Sequence, residues 1–162
     1  MSAGYSEIIK QIFDAVERKN WILATAESCT GGLISAAITA ESGSSTYFDR
    51  GFVTYSNNAK LDLLNVSHET LSQYGAVSEQ TAVEMAQGAL NNSNANIAVS
   101  VTGIAGPTGG TADKPVGLVY IGCALADTVS AQAYNFPNMS RDEVRHNTVK
   151  AALDLILSRS RL

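Results

Sequence analysis

Apolar positions along the 162-residue chain follow two periods. Apolar residues spaced three and four positions apart predict amphipathic helices, and short apolar runs between turn residues predict strands. The predicted helices cover residues 4–19, 33–40, 56–66, 67–75, 79–91 and 140–159. The predicted strands cover residues 21–26, 50–56, 96–103, 117–125 and 128–136. Helices and strands alternate in the first part of the chain, and the last two predicted strands follow each other directly. The sequence therefore predicts one α/β domain over residues 1–162, a three-layer α/β/α sandwich on a mixed sheet.

Composition and charge narrow the class of protein. Hydrophobic residues make up 45% of the chain, charged residues 16%, and the net charge is −4. We expect no nucleic-acid partner, because no run of Lys or Arg supplies a basic surface for phosphates. The two cysteines and two histidines lack metal-ligand spacing, so no bound metal is expected. The chain has no apolar stretch of membrane-spanning length and does not start like a signal peptide, which predicts a cytoplasmic protein with no membrane partner.

The segment AESCTGG at residues 26–32 contains three candidate nucleophiles in a row, namely Ser28, Cys29 and Thr30. It joins a predicted strand to a predicted helix. The three backbone amides that follow Ser28 are therefore expected to lack helical partners and to stabilise an oxyanion beside its hydroxyl. The two glycines that follow would let a substrate approach the backbone. The same pattern also suits a helix that is capped by Ser28 or Thr30 and has no chemical role.

A nucleophilic hydroxyl needs a base, and the chain offers two kinds. His68 and His146 both fall in predicted helices with polar surroundings, which is typical of exposed histidines. Lys60 falls on the first turn of a predicted helix, where burial and the helix dipole would lower the pKa of its amine. A solvated Lys60 fits the same position. The spacing by itself leaves the identity of the base open.

A second candidate is the loop VTGIAGPTGG at residues 101–110, which exposes backbone amides that could bind a phosphate. It matches neither of the common glycine-rich nucleotide motifs, so a plain flexible loop is an equal interpretation. Arg141 and Arg145 lie one helical turn apart and could bind a phosphate together, although surface arginines often have this spacing. Glu27 could orient the nucleophile or the base through a hydrogen bond, or it could be a partly exposed acid at a helix start.

Six blocks of sequence, in this order, resemble the signature of a known family. They are AESCTGG (26–32), GSS (43–45), RGFVTYSNNAK (50–60), YGAVSE (74–79), SVTGIAGPTGG (100–110) and KPVGLVY (114–120). The match spans nearly the whole chain and is similar to the CinA C-terminal domain family. The resemblance implies a nicotinamide-nucleotide amidase (NMN deamidase), which converts nicotinamide mononucleotide to nicotinic acid mononucleotide and ammonia. No counterpart of the additional N-terminal domain of full-length CinA proteins is seen, so the resemblance implies the stand-alone form.

The resemblance also implies which residues act. The family is described as a serine amidohydrolase with a Ser/Lys pair and with no metal or other cofactor. The nucleophile then falls on Ser28 and the base on Lys60, while Cys29 becomes a bystander. The residues expected to bind the substrate are Tyr55, Ser44, Thr30, Gly31, Thr102, Gly103 and Arg145, the last at the nucleotide phosphate.

One short segment departs from the family pattern. Members usually carry Gly-Asp-Arg before the last helix, where this chain has Asn138, Met139, Ser140 and Arg141. The arginine is present, but the glycine and the aspartate are not. The departure concerns the end of the site that would bind phosphate, and it leaves the Ser/Lys pair untouched.

Two other functions remain open at this point. One is a nucleotide-binding module without catalysis, which would use the loop at 101–110 and Arg145. The other is an amidase that acts on a related small amide. The small residues of 33–40 and the edge of the predicted hairpin, together with the resemblance, also favour a homo-oligomer, most simply a dimer.

Overall fold

The computed structural model describes residues 4–162, and the predicted α/β fold on a mixed sheet is confirmed. The helices in these residues are α1 (Ser6–Lys19), α2 (Leu33–Thr39), α3 (Asn57–Leu64), α4 (His68–Tyr74), α5 (Glu79–Asn91) and α6 (Arg141–Ser160). The strands are β1 (Leu23–Glu27), β2 (Phe48–Val53), β3 (Ile97–Gly103), β4 (Leu118–Leu125) and β5 (Val129–Asn135). They form one sheet in the order β2-β1-β3-β4-β5. Strand β1 is parallel to β2 and β3, and β4 is antiparallel to β3 and β5.

The two faces of the sheet are covered by different helices because side chains alternate along each strand. One face presents large apolar residues of β1 and β3 and packs against α1, α2 and α6. These strand residues are Leu23, Ile97, Val99 and Val101. The other face presents the small residues Ala24, Ala26 and Ala98, which pack against side chains of α3 and α5. The sheet therefore lies between two helical layers.

Small residues bring α5 very close to its neighbours. The hydroxyl of Ser100 donates a 2.6 Å hydrogen bond to the carbonyl of Ala82 on α5. A β-carbon placed on Gly122 of β4 would lie 2.7 Å from the same carbonyl, and one placed on Gly88 of α5 would lie 1.9 Å from the carbonyl of Leu64. A larger residue at either glycine would force the elements apart. The contact between Gly88 and Leu64 sets the position of α3, the helix that carries Lys60.

Strand boundaries at the ends of β1 and β2 differ from the sequence prediction. The predicted second strand runs to residue 56, but β2 ends at Val53, which pairs with Glu27 at the end of β1. Past this point β1 has no further residue to pair with, because Ser28 begins a turn. The amide of Thr54 makes one last hydrogen bond, at 2.9 Å, to the carbonyl of Glu27. The chain then leaves the sheet and enters α3.

The carboxylate of Glu27 holds the connection from β1 to α2. Its Oε1 accepts hydrogen bonds from the hydroxyl of Thr30 and the amide of Ile34, at 2.7 and 2.8 Å. Its Oε2 accepts from the amide and the hydroxyl of Ser35, at 2.9 and 2.8 Å. The side chain is fully buried and is hydrogen-bonded to neither the candidate nucleophile nor Lys60, so both sequence interpretations of Glu27 are wrong. A carboxylate at the start of α2 is also favoured by the helix dipole.

We expect Glu27→Gln to destabilise the fold by about 2–3 kcal/mol, because the amide nitrogen of Gln would face donors where a carboxylate oxygen now accepts. The free energy of unfolding in urea measures the effect. The matched control is Asp62→Asn, the same chemical change at an exposed position of α3, where a change within about 0.5 kcal/mol is expected. Equal stabilities for the two variants would show that the Glu27 carboxylate does not hold this turn.

Candidate active site

A cavity of about 200 Å³ opens where β1 and β3 end. The carboxyl ends of parallel strands meet at one edge of the sheet, which is where α/β proteins usually bind ligands. The lining residues come from the segments after β1 and β2, from α3, from the connection between α4 and α5, from the end of β3 and the loop after it, and from the start of α6. They are Ser28, Cys29, Tyr55, Asn57, Lys60, Ala76, Val77, Thr102, Gly103, Ala105 and Arg141.

The central contact of the cavity joins Lys60 to Ser28. The Nζ atom of Lys60 lies 2.9 Å from Ser28 Oγ, and it donates a 2.9 Å hydrogen bond to the carbonyl of Thr54. Both side chains are buried, with exposed fractions of 1% for Lys60 and 8% for Ser28. Within residues 4–162 no carboxylate approaches the amine to form an ion pair. Burial therefore lowers the pKa of Lys60 below its ordinary value of 10.5.

Local structure places Lys60 over the serine. Ser56 caps α3, because its hydroxyl accepts a 3.0 Å hydrogen bond from the amide of Ala59. Lys60 then follows on the first turn of α3, and its long side chain runs back toward the turn after β1. At the other end of α3, Leu64 packs against Gly88 of α5 and fixes the helix on the sheet.

Ser28 is held in a tight turn, and α2 starts only at Leu33. The amide of Ser28 donates to the carbonyl of Val101 at 3.0 Å, and the amide of Gly31 donates to the carbonyl of Ser28 at 3.0 Å. The expectation of three free amides after Ser28 is therefore wrong for Gly31. In the described part of the chain, the amides of Cys29 and Thr30 donate to no other residue. Two donors of the turn that carries Ser28 are thus without a partner in another residue.

The three candidate nucleophiles have different surroundings. Cys29 is buried in the core, and burial raises the pKa of its thiol to about 12. The reactive thiolate is therefore nearly absent at neutral pH. The hydroxyl of Thr30 is fully buried and donates to Glu27. Among the three, Ser28 alone places its side chain against Lys60.

The histidines lie away from this contact. His68 is exposed at the first residue of α4. The Nδ1 atom of His146 lies 3.3 Å from the hydroxyl of Tyr5. Neither imidazole is hydrogen-bonded to Ser28, whose side-chain neighbour is the amine of Lys60.

The two arginines at the start of α6 have separate positions. Arg141 lines the cavity, where its Nη1 donates to the carbonyl of Gly106 at 2.8 Å and its Nη2 donates to the hydroxyl of Tyr55 at 3.1 Å. Arg145 is not among the lining residues, and its guanidinium is bound to the turn after Ser28. The expected contact of Arg145 with a phosphate stays a prediction, and the arginine that faces the cavity is Arg141.

The other expected substrate residues divide into two groups. Tyr55, Thr102 and Gly103 line the cavity, and the hydroxyl of Thr102 donates to the carbonyl of Ala76 at 2.7 Å. Ser44 lies on a short 3-10 turn, Ser44–Thr46, outside the lining. Thr30 and Gly31 are also absent from the lining and contribute to the turn beside it.

Sequence reasoning missed several lining residues, namely Asn57, Ala76, Val77 and Ala105. All four lie inside the quoted blocks RGFVTYSNNAK, YGAVSE and SVTGIAGPTGG. The blocks therefore marked the right segments. The blocks did not indicate that these side chains line the cavity, because apolar and amide residues are common in loops of every kind.

The segment that departs from the family pattern contains a left-handed residue and a helix cap. Asn138 adopts a left-handed conformation with φ of 60°, which glycine would adopt readily. The hydroxyl of Ser140 accepts from the amide of Glu143, and the Glu143 carboxylate accepts from the amide of Ser140, which completes a capping box. Arg141 is consequently the first residue of α6 and reaches the cavity. Ser140, directly before Arg141, thus supplies the cap of α6.

Two features are absent from the described residues, a metal-binding cluster and a membrane-spanning helix. Among residues 4–162, no group of three or more His, Cys, Asp and Glu side chains is arranged to hold a metal ion. In the same part of the chain, no helix has both the length and the apolar character needed to cross a membrane.

Comparison with known sequences gives a consistent result. The family model described as CinA C-terminal domain matches residues 5–160. The nicotinamide-nucleotide amidohydrolase PncC of Enterobacter agglomerans is 60% identical over 121 residues, which are 75% of this chain and 74% of that protein. A CinA-like protein of Syntrophobacter fumaroxidans is 46% identical over 147 residues, which are 91% of this chain. The chain spans about a third of the length of that relative, 34%.

Solved structures show the same fold. The crystal structure of the competence/damage inducible protein CihA from Agrobacterium tumefaciens superposes with a TM-score of 0.92 at 48% identity, and the match covers 94% of this chain and 93% of that chain. A CinA superfamily protein from Escherichia coli superposes with a TM-score of 0.90 at 30% identity, over 97% of this chain and 90% of that chain. The chain belongs to the CinA C-terminal domain family.

Proposed function

We propose that this chain is a nicotinamide-nucleotide amidohydrolase, which converts nicotinamide mononucleotide to nicotinic acid mononucleotide and ammonia. Ser28 would be the nucleophile and Lys60 the general base. The observation that carries the proposal is the 2.9 Å contact between a buried amine and a serine hydroxyl at the edge of the cavity. The substrate is suggested by the relative named nicotinamide-nucleotide amidohydrolase PncC, at 60% identity.

In the first step, neutral Lys60 accepts the hydroxyl proton of Ser28, and Oγ attacks the carboxamide carbon of the nicotinamide ring. The lowered pKa of Lys60 supports this step, because an exposed lysine would be neutral in only about one molecule in a few thousand at pH 7. The hydrogen bond that Lys60 donates to the carbonyl of Thr54 keeps the amine in place, and the lone pair of the neutral amine would accept the Ser28 proton. The Lys60 ammonium then gives its proton to the leaving nitrogen, and ammonia departs.

In the second step, water hydrolyses the acyl-enzyme. Lys60 is neutral again once ammonia has left, so it can accept a proton from a water that attacks the ester carbonyl. Collapse of the second tetrahedral intermediate releases the carboxylic acid and returns the proton to Ser28. Both intermediates carry a negative oxygen, for which the amides of Cys29 and Thr30 are the available donors.

The substrate would lie with its two ends at opposite sides of the cavity. The carboxamide has to reach Ser28, so the ribose phosphate extends toward the mouth, where Arg141 is held by Tyr55 and the carbonyl of Gly106. A guanidinium binds phosphate through two parallel hydrogen bonds. We therefore place the phosphate at Arg141. A module that only binds a nucleotide would gain nothing from Lys60, because burying an amine costs free energy.

The assignment of nucleophile and base predicts a pattern across three variants. Ser28→Ala and Lys60→Met should each lower ammonia release from nicotinamide mononucleotide by about 10³-fold or more, because each removes one half of the reacting pair. The matched control is Cys29→Ala, which removes the neighbouring thiol and should keep most of the activity. Ammonia is measured with purified protein and a chelator present. Loss of activity in Cys29→Ala with full activity in Ser28→Ala would overturn the assignment.

The lowered pKa of Lys60 predicts the pH dependence of the reaction. The neutral amine is the active form, so kcat/KM should rise with pH through the pKa of Lys60 and level off above it. Because burial lowers this pKa, the midpoint of the rise should lie below 10.5. The profile is measured for wild type, and the rise should be lost in the residual activity of Lys60→Met. A midpoint at or above 10.5 would mean that the amine gains no activation from burial.

The position of Arg141 predicts a selective effect on the phosphate. Arg141→Met should raise KM for nicotinamide mononucleotide by about 10- to 100-fold, since hydrogen bonds to charged groups contribute about 1.5–3 kcal/mol. KM for nicotinamide riboside, which lacks the phosphate, should change little. Arg159→Met, on the same helix and bonded to Ser130, serves as the control. Equal losses for both substrates would place the phosphate elsewhere.

A further inference from the structure

Arg145 crosses from α6 to the turn that carries Ser28. Its Nε donates to the carbonyl of Cys29 at 3.1 Å, and its Nη2 donates to the carbonyl of Thr30 at 3.2 Å. The guanidinium also packs against the turn, since a β-carbon on Gly31 would lie 3.6 Å from Nη2. The half-buried side chain is therefore bonded to backbone and does not line the cavity.

Because each peptide unit is planar, the two contacts of Arg145 also determine the direction of two backbone amides. In a trans peptide the N–H points away from the carbonyl of the same plane. The carbonyl of Cys29 belongs to the peptide that carries the amide of Thr30, so Arg145 sets the direction of that N–H. The carbonyl of Thr30 belongs to the peptide that carries the amide of Gly31, so Arg145 sets that direction as well.

The third peptide of the turn is held indirectly. The amide of Gly31 donates to the carbonyl of Ser28 at 3.0 Å, and that carbonyl lies in the peptide that carries the amide of Cys29. Arg145 thus orients the Cys29 amide through Gly31 and the Thr30 amide directly. Neither of these two amides donates to another residue in the described part of the chain.

We propose that Arg145 is a positioning residue, which aligns the amides of Cys29 and Thr30 as the oxyanion-binding donors beside Ser28. The inference rests on the proposed role of Ser28 as nucleophile. It differs from the role that the family resemblance implies for Arg145, a contact with the substrate phosphate. Arg145 and Arg141 lie one turn apart on α6, and the one bonds to the backbone of the turn while the other faces the cavity.

The positive charge of Arg145 strengthens the same donors. A cation on a peptide carbonyl polarises the peptide, which makes the N–H on the opposite side a better hydrogen-bond donor. Donors that are fixed before the reaction stabilise the oxyanion without a reorganisation cost. The contribution appears only when charge develops on the oxygen, so it belongs to the transition state and not to substrate binding.

The test uses two substitutions in the full chain. Arg145→Met keeps the length of the side chain and removes its donors and charge, while Arg145→Lys keeps the charge without the forked geometry. Arg159→Met is the matched control on α6, where the native guanidinium bonds to the Ser130 hydroxyl instead of to the turn. Urea unfolding shows whether each variant is folded, and Arg145→Lys carries the test if Arg145→Met is not.

Two readouts separate positioning from binding. The first is the rate at which a fluorophosphonate modifies Ser28, where Oγ bonds to phosphorus, fluoride leaves, and the proton passes to Lys60. The second is the division of any effect on nicotinamide mononucleotide hydrolysis between kcat and KM. We expect both the modification rate and kcat to fall about 10- to 100-fold in Arg145→Met, since loss of one oxyanion donor costs about 10²–10³ in kcat. For Arg145→Lys, both rates should lie between those of wild type and Arg145→Met. KM should be nearly unchanged in both variants, and the Arg159→Met control should be nearly unchanged in every readout.

Each contrary result has its own meaning. A raised KM with unchanged kcat and unchanged modification rate would overturn the proposal and assign Arg145 to the substrate. Unchanged values in both variants would overturn it as well. If wild type is modified at Ser28 but releases no ammonia, the proposed substrate fails, and the modification rates still decide the role of Arg145. If wild type is not modified, Ser28 is not a nucleophile and the inference falls with it.

Discussion

The burial of one amine is the constraint on which the site depends. Lys60 lies in a space where water is nearly excluded, and its neighbours are the hydroxyl of Ser28 and the carbonyl of Thr54. No carboxylate of the described chain compensates a positive charge there. The surroundings therefore favour a neutral amine, and a neutral amine next to a hydroxyl is a proton acceptor. The proposed chemistry follows because the amine is removed from water and no negative charge compensates for the lost solvation.

The serine side of the pair needs a backbone that does not move. Two charged side chains supply it from opposite directions. The carboxylate of Glu27 binds Thr30 and the first amides of α2, and the guanidinium of Arg145 binds the carbonyls of Cys29 and Thr30. An anion accepts from N–H and O–H groups, and a cation donates to carbonyls, so together they satisfy both kinds of backbone group in one short turn. The turn can therefore keep its conformation although the amides of Cys29 and Thr30 donate to no other residue.

Packing far from the cavity determines the position of Lys60. Small residues on one face of the sheet let α5 lie against the strands, and Gly88 lets α3 lie against α5. The start of α3 is set by its Ser56 cap, so the first turn of the helix is brought over the end of β1. A bulkier core on this face would move the amine of Lys60 away from Ser28. The distance between base and nucleophile is thus a consequence of core composition as much as of the site itself.

The sequence by itself determined the elements and the segments of the site, because periodicity, caps and turn residues act over a few neighbouring positions. The Ser56 cap and the Ser140 capping box are local features of this kind. The tertiary structure alone decided which side chains meet. Arg141 and Arg145 have the same helical phase, and their different partners depend on how α6 crosses the sheet. The same holds for the small cavity-lining residues Ala76, Val77 and Ala105, which come from separate segments of the chain. Local patterns carry no information on such distances, because contacts between elements are set by packing of the whole core.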